Sequence, residues 1–284
     1  METLSMKSFA KTLNDVTFTD YYNRLKLLAK CVFAWENLPN HMDEKWIETF
    51  LFHKGYCVFY NDSKRGLMVS ECVTSGRLNN YSEPTTVRPT GIDIEGVELT
   101  PGVDCVLIRN NDEMIETEYS VKLFAYRLAE ISRTIDVNIN AQKTPVFLHT
   151  TKNKMLSIKN IFAQWNGNEP VIYGDASFEP DTLRVLKTEA PVVFPDLQQQ
   201  KLAIWNECLT FLGINNANTE KRERLITDEV EANNDHVELS ADCFLKSRER
   251  AVQEINRIFK TNIVVRRRRE DEICKQNIQN SSET

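Results

Sequence analysis

Three groups of side chains in this sequence have the types and spacing to do chemistry. Lys221, Arg222 and Arg224 cluster just ahead of the acidic pair Asp228 and Glu229, and four arginines run together at 266–269. Clustered cations attract phosphate, because releasing condensed counterions dominates affinity for polynucleotides. Neighbouring carboxylates are hard oxygen ligands for a divalent cation such as Mg²⁺. Each group also has a plainer reading. Adjacent acids inside a Lys/Arg-rich segment form a solvated polyampholyte, and arginines in strand geometry alternate between faces, so at most two of the four point the same way.

The stronger catalytic signatures are missing. The sequence has no G-x-x-x-x-G-K-[ST], so no P-loop for ATP is encoded, and the phosphate-cradle candidate WNGNEP lacks the lysine. It also has no H-E-x-x-H, G-x-S-x-G or G-x-G-x-x-G. His41, His53, His149 and His236 are isolated from one another and from cysteines at ligand spacing, which argues against zinc. Seven cysteines without a C-x-x-C pair read as reduced, buried thiols. No cofactor is implied. A Mg²⁺-dependent nucleic-acid-processing enzyme using Asp228 and Glu229 stays open as the alternative to a structural role.

Composition narrows the options. The chain of 284 residues is 41% hydrophobic and 27% charged, with material for a substantial core. Its net charge of −6 and pI near 5.5 disfavour a protein that grips DNA, yet suit one that DNA must slide past. No apolar run approaches the roughly 18 residues of a membrane span. The N-terminus METLSMKSFAKTLNDVTF lacks a basic head followed by an apolar stretch, so synthesis in a cytosol is expected.

The elements that must position these groups follow from periodicity. Apolar residues at three- and four-residue spacing predict helices over 20–35, 119–141 and 196–213, the third opened by Asp196 as N-cap, closed by Gly213 and interrupted by Lys201. Segment 46–115 opens with a possible helical turn, WIETFLFH, and then reads as short strands punctuated by Gly, Pro and Asn-Asp pairs. A strand, helix, strand, strand excursion occupies 143–194. With few apolar side chains, 214–240 reads as a long loop. Helix and strand return over 241–265, and 266–284 is a polar tail. The whole is an α+β protein.

The string WNECLTFLGINNANTEKRERLITDEVEANND at 205–235 resembles the upper collar proteins of Picovirinae-type short-tailed bacteriophages, also called portals or head–tail connectors. FAWENLP at 33–39, VNINAQKTPV at 137–146, GNEPVI at 167–172 and FLKSRERA at 244–251 carry the same resemblance. The matches keep one order from about residue 20 to 265.

The resemblance implies a non-enzymatic portal fold: a stem of three long helices, a mixed α/β wing and a small α+β clip, assembled as a ring of about twelve subunits at one capsid vertex of the virion. On that scheme 1–18 is an N-terminal arm and 19–45 the first wing and stem helix. The wing is 46–118, the second stem helix 119–142, the clip 143–194 and the third stem helix 195–213. A channel loop follows at 214–240, then a wing or crown helix and strand at 241–265 and the tail at 266–284. Double-stranded DNA would be packaged and ejected through the ring, touching Lys221 and Arg222 in the channel loop, Lys201 on the lining helix and Lys187 at the clip–stem junction. The implied partners are the major capsid and scaffolding proteins, the packaging ATPase and the lower collar or tail protein, with no membrane. A packaging RNA is the last implied partner, but the first 18 residues carry only Lys7 and Lys11 against Glu2 and Asp15, which argues against an RNA-binding arm. The run at 266–269 is the other basic candidate.

Overall fold

The computed structural model describes residues 6–91, 97–142, 146–148, 183–185, 191–215 and 227–268. In chain order they form α1 (Met6–Lys30), β1 (Phe33–Glu36), α2 (Glu44–Lys54), β2 (Tyr56–Asp62), β3 (Gly66–Ser70), β4 (Cys72–Leu78), β5 (Pro84–Pro89), β6 (Cys105–Arg109) and α3 (Glu118–Gln142). Next come β7 (Val146–Leu148), β8 (Leu183–Val185), α4 (Phe194–Phe211), α5 (Thr227–Phe259) and β9 (Val264–Arg267). Two compact units result, one from residues 1–130 with 200–284, the other from 131–199.

The larger unit is built on β2, which pairs antiparallel with β3 on one side and β6 on the other. Both of its faces are covered, so the period-2 alternation of a strand feeds two different cores. Cys57 and Phe59 join Val106 and Ile108 of β6 beneath α2 and α5, meeting Ile47, Leu51, Val252 and Ile255. On the opposite face Val58 and Tyr60 join Cys105 and Leu107, covered by Cys72 and Val87 of the β4–β5 ribbon. Glycine is required where α2 turns into β2. Gly55 sits at φ 77°, and a Cβ there would lie 2.0 Å from the Met114 carbonyl oxygen.

One buried ion pair holds the first of these cores together. Arg248 of α5 and Glu48 of α2 are each 3% exposed and joined at 2.8 Å. The guanidinium donates to both Glu48 oxygens, at 2.9 and 2.8 Å, to the Asn110 carbonyl at 3.0 Å, to Asn110 Oδ1 at 3.2 Å and to the Phe244 carbonyl at 3.0 Å. Its Cζ stands 4.3 Å from the Phe33 ring centroid, and the Trp35 indole donates to Glu48 Oε1 at 2.9 Å. All the guanidinium N–H groups are therefore satisfied, the condition under which a buried charge is tolerated.

A second layer of the same unit is helical. Tyr21 and Leu25 of α1, Val121, Phe124, Ala125 and Leu128 of α3, and Cys208 with Leu212 at the end of α4 form one apolar seam. The end of α4 is a Schellman motif: Ile214 N–H donates to the Leu209 carbonyl at 2.8 Å and Gly213 N–H to that of Thr210 at 3.0 Å, with Gly213 at φ 73°. In the smaller unit, β7 and β8 pair antiparallel with Phe147 opposite Arg184. There Asn138 of α3 donates to the Pro191 carbonyl at 2.8 Å and accepts from Val193 N–H at 3.2 Å.

The helix expected over 119–141 and the strand-rich character of 46–115 match this architecture. Other expectations need correction. The helix predicted over 20–35 is α1, which begins at Met6 within the segment read as an arm and stops at Lys30. Residues 33–36 leave it because they pair with Val264–Arg267 in an antiparallel ladder, a partner some 230 positions away that no local pattern reveals. The third helix starts at Phe194, so Asp196 lies in its first turn rather than at its cap. The loop expected to reach residue 240 ends sooner, because α5 starts at Thr227. Val237 and Ala241 are buried and Ser240 Oγ donates to the Phe211 carbonyl at 2.6 Å, so a narrow contact stripe holds a segment whose sequence is otherwise polar. The helix and strand expected between β7 and β8 lie outside the described residues.

Replacing Arg248 by alanine strands Glu48 as an uncompensated buried charge. Urea unfolding should show a loss of about 3–5 kcal/mol, whereas the paired change Arg248→Met with Glu48→Leu should recover most of it.

Candidate functional site

Of the cations singled out for polyanion contact, Lys201 is described, while Lys187, Lys221 and Arg222 lie outside the described residues. Lys201 sits on α4, partly buried, with Nζ 5.5 Å from the ring centroid of Tyr21 on α1. A cation–π contact with this ring, a residue of the helical seam, holds its charge.

The arginine run is used internally. Arg266 pairs with Glu36 at 2.7 Å, Arg267 donates to the Gly213 carbonyl at the end of α4, and Arg268 pairs with Glu44. Glu44 also accepts from Trp35 N–H at 2.9 Å. The described members of the run thus tie β9 to β1, α2 and α4, which removes most of the case for a polybasic anion site there. Arg269 lies outside the described residues.

The catalytic alternative fares no better. Asp228 and Glu229 belong to the first turn of α5, not to a loop. Among the described residues no group of three His, Cys, Asp or Glu side chains could hold a metal. Burial pushes the Cys72, Cys105 and Cys208 thiols up to about 12, so they are poor nucleophiles. A cleft of about 300 Å³ lies between β6 and α5, and four of the five charged side chains lining it are paired with one another. Arg109 pairs with Glu83 at 2.7 Å, and Asp112 takes Arg250 at 2.7 Å and the Ser247 hydroxyl at 3.0 Å. No helix among the described residues is long and apolar enough to cross a membrane.

Sequence reasoning missed one polar junction entirely. Glu118, at the start of α3, accepts from the Tyr22 hydroxyl of α1 at 2.6 Å and from Lys122 Nζ at 3.0 Å, and lies 2.9 Å from His53 Nδ1 of α2. Only the Glu118–Lys122 spacing of four was visible locally. Burial by itself would raise the Glu118 carboxyl, but the hydrogen bonds from Tyr22, His53 and Lys122 outweigh it and hold the carboxyl at about 2. Burial, then the same carboxylate, pushes the Tyr22 hydroxyl up.

The folded Glu118 carboxyl binds its proton more weakly than the unfolded one. Its contribution to stability is therefore complete above about pH 4.5 and is lost as pH falls toward about 2. Unfolding free energies measured across that window should fall more steeply for the native chain than for Glu118→Gln, whose curve should lack this component.

The arrangement is one of braced charges and helical seams, without a catalytic constellation among the described residues. A family model described as Phage Connector (GP10) matches residues 5–272. The fold is similar to a chain of the portal and tail of native bacteriophage P68, at 14% identity and a TM-score of 0.55, covering 100% of this chain and 98% of that one. Chains of the native gene transfer agent virion (9% identity, TM-score 0.48, covering 96% and 88%) and of an HK97 family phage portal protein from Corynebacterium diphtheriae (10%, 0.42, 94% and 96%) are too distant to bear on the fold. With a match over nearly all of its length, the chain belongs to the Phage Connector (GP10) family and is a portal protein of a phage particle, a structural channel subunit rather than an enzyme.

Proposed function

We propose that this portal subunit closes into a ring of about twelve copies through which double-stranded DNA is packaged and later ejected. Membership of the connector family carries the reading. A ring oligomer at the portal vertex, within a particle that has a capsid and a tail, follows from the family. The finer assignments are ours: the packaging ATPase docks on the ring during filling, the lower collar or tail protein replaces it afterwards, and the capsid and scaffolding proteins hold the outside. The clip that meets the motor is 143–194, and the stem is α1, α3 and α4.

Electrostatics support a sleeve. A charge of −6 per chain scales to about −72 over twelve copies, before screening over roughly 8 Å in physiological salt. Most of the channel wall then repels DNA, while Lys187, Lys201, Lys221 and Arg222 form sparse cationic rings that check backward slippage. With Arg266 to Arg268 engaged by Glu36, Gly213 and Glu44, the docking we assign to the motor is one with its ATPase.

Native mass spectrometry and negative-stain images of the purified protein should show closed rings with a central hole. A chain that stays monomeric at high concentration would overturn the proposal. Lys221→Gln with Arg222→Gln should leave rings intact but lower the fraction of particles that retain packaged DNA, and unchanged retention would remove those two residues from the channel contact.

A further inference from the structure

Helix α3 carries two apolar stripes on different sides. One, running through Val121, Phe124, Ala125 and Leu128, is buried against α1 and α4. The other runs through Tyr119, Leu123 and Tyr126 at i, i+4 and i+7, and these side chains are 70, 50 and 57% exposed. A helix that packs on a single core needs one stripe. A second stripe, rich in tyrosine, has the composition of an interface centre rather than of a solvated face. Arg127 borders it and makes no ion pair among the described residues.

Helix α1 is also two-sided. Tyr21 and Leu25 face the seam, while Val16 and Leu27 lie on the outer side, 58 and 55% exposed. Asp15 and Asp20 stand on that outer side; Asp20 is shared with Arg24 at 2.8 Å, and Asp15 has no ion pair among the described residues. A ring built from identical copies by rotation needs two different, complementary patches on each subunit, unlike a two-fold dimer, which needs one. Among the described residues, the outer face of α3 is apolar and carries Arg127 without an ion pair, and the outer face of α1 is apolar and carries Asp15 without one.

We propose that the Tyr119–Leu123–Tyr126 stripe of one subunit seats against the outer face of α1, around Val16, Asp20 and Leu27, in the adjacent copy of this chain. The assignment rests on the ring reading above and adds which surfaces meet. Arg127 of one copy then faces the acidic side of α1 in the next. The same stem helices thus make both the intrachain seam and the contact between copies, each helix using one side for each.

The test pairs Leu123→Cys in turn with Val16→Cys, Asp20→Cys and Leu27→Cys, in a chain whose Cys243 and Cys274 are serine. After oxidation, non-reducing electrophoresis should show a ladder of linked oligomers for at least one pair and none for chains carrying only one of the introduced cysteines. Tyr119→Ser with Leu123→Ser and Tyr126→Ser should weaken subunit association at least about thirtyfold by sedimentation, with circular dichroism unchanged. The ladder decides, so a variant that misfolds does not rescue the idea. Rings that persist in the parent chain while all three pairs fail to link overturn this surface and leave the ring standing. A parent chain that forms no ring overturns the portal assembly itself.

Discussion

Once β1, α2 and α5 close around it, the Arg248 guanidinium has no water to turn to. Five acceptor contacts and an aromatic face replace its hydration, drawn from four parts of the chain: Glu48 from α2, Asn110 just past the end of β6, Phe244 from its own helix and Phe33 from β1. Such a pair adds little net free energy relative to a well-packed apolar substitute, yet it penalises every arrangement that leaves one charge alone. It therefore acts as a register pin. The long α5 helix is locked against the sheet at one azimuth, and the β1–β9 ladder is locked beside it.

Two cores share one short helix. Ile47 and Leu51 of α2 enter the core beneath the sheet, whereas Phe52 enters the seam of α1, α3 and α4. His53, the next residue, reaches the Glu118 junction where α1, α2 and α3 meet. Ile214, just beyond the end of α4, packs on both cores as well. The helical seam cannot shift against the sheet layer without disturbing both α2 and the Glu118 hydrogen bonds.

Acidic proteins can serve DNA if they are not asked to hold it. Here several described cations are drawn into structure: Arg248 into the core, Arg266 to Arg268 into braces between β9 and its neighbours, and Lys122 onto Glu118. What remains at the surface is a mixed field with a negative balance. A surface of that kind resists adhesion to polyanions.

Helical periodicity by itself determined α3 almost to the residue, because its buried stripe repeats at 3.6 over many turns, and determined the stop of α4, because Gly213 is suited to the left-handed turn there. The strings shared with the connector family carried the portal reading, which the family match over residues 5–272 supports. Only the tertiary structure decided that 33–36 is a strand, since its hydrogen-bond partners come from the far end of the chain. It likewise showed that α5 begins at Thr227 within a polar, charge-dense stretch that meets α4 at Val237, Ser240 and Ala241, and that surrounding acceptors turn an arginine run with the look of an anion site into structural braces. The reason is common to all three: local sequence reports the preferences of a segment, while pairing, burial and charge compensation depend on groups that folding alone brings within a few ångströms.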